Sequence, residues 1–169
     1  AQPSGAHVVP IENVAMALRA AVAQSRRRME VHQAPGGYTV INDAYNANPE
    51  SMRSALRTLA AMAAGRRTWA VLGEMRELGE ASVAEHDAIG RLAVRLDISR
   101  LVCVGTRVMH LGAATEGSWE NESVYVETVD EAIEMLRREL APDDVVLIKA
   151  SRGVALERIA EALIESSPA

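Results

Sequence analysis

The chain has 169 residues, 49% hydrophobic and 24% charged, with a mean hydropathy near zero, the make-up of one folded domain and not of a disordered chain. Its single cysteine, Cys103, excludes a disulfide framework or a paired-cysteine zinc site. A net charge of -5, scattered arginines and 3% aromatics argue against a nucleic-acid partner, while the lack of an apolar run of about 18 residues argues against a membrane span.

From Pro10 to about Gln24, Ile11, Val14, Leu18, Ala21 and Val22 recur at helical spacing, which predicts a lead-in helix. Met29 to His32 and Tyr38 to Ile41 read as strands of an antiparallel hairpin. Between them, Ala34-Pro35-Gly36-Gly37 suits a type II turn, with Pro at i+1 and Gly at i+2. Met52, Leu56, Leu59 and Met62 then share one helix face, opened by Asn48 as a cap and Pro49 at the first helical position.

An alternation of strands and helices follows. The strand Trp69 to Leu72 precedes a helix that Ser82-Val83-Ala84-Glu85 would open as a capping box. Leu101 to Val104 precedes Gly105-Thr106 and a short helix; the polar stretch Glu116 to Ser123 reads as a surface loop. Val124 to Val126 leads to a second capping box, Thr128-Val129-Asp130-Glu131, and a helix bearing Ala132, Ile133, Leu136 and Leu140. Val145 to Ile148 precedes the last helix, with Leu156, Ile159, Leu163 and Ile164. Strands apolar on both faces that alternate with helices predict an α/β fold. The expected sheet is an open, mostly parallel, Rossmann-like one of about six strands, with helices on both faces and one antiparallel edge strand.

In such a sheet ligands bind off the carboxyl ends of the strands. The loop Asn42 to Asn48 gathers a carboxylate, a phenol and three amides at the mouth of a helix, so Asp43 and Asn46 are candidates for contacts to ribose hydroxyls or a base edge. Asn48 is read as a helix cap. Gly73 to Gly79 carries two carboxylates and is read as a structural loop, since those charges would repel a phosphate. His86 is read as a hydrogen-bonded, partly buried side chain and Cys103 as a small buried hydrophobe; no metal site is expected, since His7, His32 and His110 lack partners at ligand spacing.

The stretch Asp43-Ala44-Tyr45-Asn46-Ala47-Asn48-Pro49-Glu50-Ser51 resembles the D-x-Y-N-x-N-P-x-S motif of the Mur ligases that add D-alanyl-D-alanine in peptidoglycan synthesis. Arg27-Arg28-Met29-Glu30 is similar to that family's G-R-M-E/Q segment, Val71 to Gly79 to its V-L-G-x-M-x-E-L-G, and Lys149-Ala150-Ser151-Arg152-Gly153 to its K-G-S-R-G. Arg27 and Ala150 stand where the family has glycine.

The resemblance implies a C-terminal domain at 27–169, with 1–26 as the tail of a central ATPase domain or a linker helix. No G-x-x-x-x-G-K-S/T is present, so ATP and Mg2+ would be held mainly by the missing central domain, and the fragment alone is expected to be inactive. The implied partners are UDP-MurNAc-tripeptide, D-Ala-D-Ala and the missing N-terminal and central domains, and the expected compartment is the cytoplasm. By resemblance Arg28 would reach the nucleotide phosphates, Asp43 the ribose hydroxyls, and Tyr45 and Asn46 the nucleotide's surroundings. Lys149, Ser151 and Arg152 offer donors suited to an anionic group such as the dipeptide's carboxylate. No catalytic residue is expected in this domain. Two other readings stand beside this one: another Mur-type or folate polyglutamylating ligase domain, whose D-N-P-R or G-A-H-N-P loop is absent here, and a free-standing Rossmann-like binding module.

Overall fold

A computed structural model describes residues 29–118 and 121–165. The lead-in helix and Arg28 lie outside the described residues. The hairpin forms as expected: β1 (Glu30–Gln33) pairs antiparallel with β2 (Thr39–Asp43), Glu30 opposite Asn42. Its turn is not type II, because Gly36 lacks the positive φ that such a turn needs at i+2. Gly37 takes it instead, at φ 81°, with its N–H bonded to the Ala34 carbonyl at 2.9 Å.

Four further strands complete the sheet: β3 (Thr68–Leu72), β4 (Arg100–Val104), β5 (Ser123–Val126) and β6 (Val145–Lys149). The order is β1-β2-β6-β3-β4-β5, parallel except at the β1 edge, as expected for an α/β sheet with one antiparallel edge. Side chains alternate across it with the strand period of two. Ile41, Ala70, Leu72, Leu101, Cys103, Val145 and Leu147 face α1 (Pro49–Met62), α2 (Ser82–Arg95) and α3 (Arg107–Glu116). Val40, Trp69, Val71, Val102, Val146 and Ile148 face α4 (Val129–Glu139) and α5 (Glu157–Ile164). Cys103 is fully buried, as expected, and burial pushes its thiol pKa up, weakly opposed by a bond with Ser123.

The helix starts separate two outcomes of one sequence signal. Thr128 has extended backbone (φ -123°, ψ 158°), and its side chain and that of Glu131 close a reciprocal capping box; Asn48 does the same with Ser51. The box predicted at Ser82 does not form. The 3₁₀ turn Gly79–Ala81 runs directly into α2, so Ser82 is already helical (φ -54°, ψ -50°) and cannot act as an extended cap; Glu85 pairs with Arg53 instead.

At the amino end of the sheet Asp144, 3% exposed, accepts from Arg67 through both oxygens (2.9 and 2.6 Å), from Trp69 Nε1 (3.0 Å) and from the Ala141 N–H (3.0 Å). Burial raises its pKa, but the Arg67, Ala141 and Trp69 bonds together hold it below the ordinary carboxylate value. A depressed folded pKa stabilises the fold above the unfolded value, near 3.9, and that contribution disappears as pH falls through the folded value. Asp144→Asn is therefore expected to be less stable than the parent at pH 7, the gap narrowing below about pH 4. Urea midpoints from pH 7 to pH 3 check this; a gap that widens with acid refutes it.

Candidate functional site

The connections after β2 and β3 run to helices on one face of the sheet and the connection after β6 to α5 on the other, so β6 sits at a topological switch point. Asp43 and Lys149 close their strands in direct register. Both follow the period-two alternation of Ile41 and Leu147, which turns them toward α1. The Lys149 Nζ donates to Asp43 Oδ2 at 2.7 Å and to the Asn46 carbonyl at 2.8 Å. Lys149 is 2% exposed and Asp43 7%. The other Asp43 oxygen, Oδ1, accepts from the N–H of Met29 at 3.3 Å, a residue held at φ 52°.

Ser151, also buried, ties three loops together. Its hydroxyl donates to the Ala47 carbonyl (3.2 Å) and accepts from the Arg76 N–H (2.9 Å), while its own N–H donates to the Glu74 carbonyl (3.0 Å). Ala150 at the expected glycine position is unstrained, having no positive φ. Its methyl fills the space above Gly73, where an added Cβ would lie 2.8 Å away. The loop from Gly73 is pinned further by His86, 4% exposed: Met75 N–H donates to Nε2 at 2.9 Å and Nδ1 lies 2.7 Å from the Ser82 carbonyl. A carbonyl can only accept, so Nδ1 carries the proton. His86 is thus hydrogen-bonded as expected, buried where a partly buried side chain was expected, and it ties the Gly73–Gly79 loop to α2.

The expected site residues therefore divide between two hollows. Asp43, Asn46 and Lys149 line a cleft of about 340 Å³ beside α1, together with Met29, Asn48 and Ser54. Tyr45 and Arg152 line a larger hollow of about 610 Å³ with Asn42, His32, Glu157 and Glu161. There the Arg152 guanidinium sits 5.8 Å from the Tyr45 ring centroid, within cation–π range. Tyr45 and Asn46, adjacent in sequence, open to different hollows. Of the three residues expected to meet an anionic group, Arg152 alone is exposed.

Sequence reasoning missed Ser51, Ser54 and Thr58, which line the α1 cleft. Their spacing of three and four residues on the polar face, opposite Met52, Leu56 and Leu59, was the available signal. Among the described residues no three His, Cys, Asp or Glu side chains converge as a metal-holding group, and no helix is long and apolar enough to cross a membrane.

Residues 27–152 match the family model described as Mur ligase, glutamate ligase domain. The chain is 53% identical to the UDP-N-acetylmuramoyl-tripeptide--D-alanyl-D-alanine ligase of Mycobacterium tuberculosis, over 91% of this chain and 34% of that protein. With the Bacillus subtilis ligase of the same name it shares 32% identity, over 82% of this chain and 31% of that protein. A solved MurF from Acinetobacter baumannii superposes with a TM-score of 0.69 at 29% identity, covering 82% of this chain and 30% of that one. The chain thus spans about a third of the length of the relatives it matches. With a family model covering well over half of its residues and a relative more than half identical along nearly all of it, the chain belongs to the Mur ligase family, whose glutamate ligase domain it carries.

Proposed function

We propose that this chain is the C-terminal domain of an ATP-dependent amide ligase that adds D-Ala-D-Ala to UDP-MurNAc-tripeptide in cytoplasmic peptidoglycan synthesis. Residues 27–169 form that domain, and 1–26 belong to the tail of a central ATPase domain or a linker. The observation that carries the reading is the 53% identity to the mycobacterial ligase over 91% of this chain. It is supported by the loop Asp43 to Asn48 lying at the switch point of the sheet, where open α/β folds bind ligands.

The chemistry begins with a carboxylate, a poor electrophile until one oxygen becomes part of a leaving group. Transfer of the γ-phosphoryl group of ATP to the tripeptide carboxylate gives an acyl phosphate and ADP. The dipeptide amine attacks the carbonyl carbon, loses a proton, and the tetrahedral intermediate expels phosphate to leave the amide. Positioning and charge stabilisation supply most of the rate in such transfers. In this reading Arg28 faces the phosphates, Asp43 accepts from the ribose hydroxyls, and Tyr45 and Asn46 flank the nucleotide. On the dipeptide side, the exposed Arg152 of the Lys149 to Gly153 loop presents a guanidinium to a carboxylate. Mg2+ would be held mainly by the phosphate-binding central domain, where it would neutralise the charge of the phosphates.

Titrating Mg-ATP into the 169-residue chain while following amide NMR shifts tests the nucleotide part. Weak, localised shifts at Asp43, Tyr45 and Asn46 are expected, with no turnover, since the P-loop is absent from the sequence. Tight binding would favour a self-contained binding module instead, and shifts confined to another edge of the sheet would overturn the placement.

A further inference from the structure

The K-A-S segment at the end of β6 grips the backbone of the loop that follows β2. Two alternate residues hold two consecutive carbonyls: Lys149 Nζ bonds Asn46 O at 2.8 Å, and Ser151 Oγ bonds Ala47 O at 3.2 Å. Lys149 also neutralises Asp43 in direct strand register, and Ser151 also holds the backbone of Glu74 and Arg76. Both side chains are buried, 2% and 5% exposed. The Ser151 hydroxyl has its proton on Ala47 O and a lone pair on Arg76 N–H. The Lys149 ammonium has two of its three protons committed within the chain.

We propose that Lys149 and Ser151 are positioning residues for the nucleotide end of the reaction, a two-point clamp on residues 43–47, and not contacts to the acceptor dipeptide. The proposal rests on the reading that residues 43–46 meet ATP. Its physical basis is that a carboxylate aimed at ribose hydroxyls needs a fixed direction. Asp43 obtains that direction from a buried ammonium whose stem is locked in the sheet, and the next turn of backbone is anchored one residue further by the Ser151 hydroxyl. Removing Lys149 leaves Asp43 held only by the Met29 N–H, and removing Ser151 releases the Ala47 carbonyl and the backbone that follows Asp43. A misplacement of about 1 Å at such a group can cost about 100-fold. A residue that bound the dipeptide carboxylate directly would show the opposite dependence, weakening the acceptor and leaving the nucleotide untouched.

Steady-state kinetics on the full-length ligase carrying this domain separate the two cases. Lys149→Met and Ser151→Ala are expected to raise KM for ATP by about 10-fold or more, with KM for D-Ala-D-Ala within about twofold of the parent. Lys149→Arg, which keeps a cation on Asp43, is expected to recover part of the loss. Ser151→Ala removes one oxygen only, and keeps the test open if Lys149→Met leaves Asp43 buried without a counter-charge and the domain does not fold. A rise in KM for D-Ala-D-Ala with KM for ATP unchanged overturns the clamp, and so does a folded Ser151→Ala enzyme with both constants unchanged. Asp43→Ala, run alongside, isolates the premise: if it too leaves KM for ATP unchanged, the nucleotide reading of the loop fails. If it raises KM for ATP while the clamp variants do not, the clamp alone fails.

Discussion

Trp69→Ala is expected to destabilise the domain by about 3–5 kcal/mol, the range for emptying a fully buried aromatic site. Trp69 is 0% exposed on the α4–α5 face of the sheet, and three other effects converge on it. Its Nε1 donates to Asp144 at 3.0 Å, and the Arg67 and Arg100 guanidinium carbons lie 5.2 and 4.8 Å from its ring centroid. Truncation thus opens a cavity, removes one of the bonds that keep Asp144 ionised, and strips two cations of the ring that faces them. Trp69→Phe keeps most of the apolar volume and loses the N–H, so it should cost less, about 1–3 kcal/mol. Urea unfolding at pH 7 separates the two. An alanine variant within about 1 kcal/mol of the parent would mean that this face of the sheet is not packed as described.

Gly90→Ala is expected to destabilise by about 2–3 kcal/mol or more, although helix propensity alone predicts a gain of about 1 kcal/mol. Gly90 is in α2, where α3 crosses so closely that a Cβ at this position would lie 1.9 Å from the Met109 carbonyl oxygen and 2.9 Å from the Ala113 nitrogen. Gly112 of α3 reciprocates, its Cβ position being 2.4 Å from the Asp87 carbonyl oxygen. The obstacles are backbone atoms that cannot swing aside as a side-chain end can, so the helices must separate, with loss of contacts around Ile89, Met109 and Ala113. Gly112→Ala should behave alike. Because both changes act on one interface, the double variant should cost less than the sum of the singles. Thermal midpoints of the three variants check this; a rise in either single variant would show that propensity wins and that the crossing has room.

Local sequence determined the elements wherever one physical cause dominates. Val145 to Ile148, Trp69 to Leu72 and Leu101 to Val104 are short runs, apolar at every position, that alternate with helical patterns, which reads as strands covered on both faces, and the structure places them there. The caps at Asn48 and Thr128 follow from side chains beside extended backbone. The family motifs likewise carried the identification, because each is a contiguous run of residues. What failed was decided by a neighbouring turn: a 3₁₀ segment removed the cap geometry at Ser82, and Gly37 took the positive φ expected of Gly36.

Only the tertiary structure decided what the candidate site residues touch. Asp43 and Lys149 are 106 positions apart in sequence, and parallel pairing of β2 with β6 puts them in one register. Lys149 reads in sequence as a cation open to an anionic ligand. Burial on the α1 side commits its charge to Asp43 and the Asn46 carbonyl, because an ammonium removed from water must be paired. Ser151, Arg76 and Ala47 meet for the same reason, three loops converging where strands with opposite exits lie side by side. Local pattern selects helix, strand and cap, since those depend on residues within a few positions. The division of labour among buried polar groups depends on which strands are neighbours, and strand order follows from long-range packing that no stretch of sequence contains.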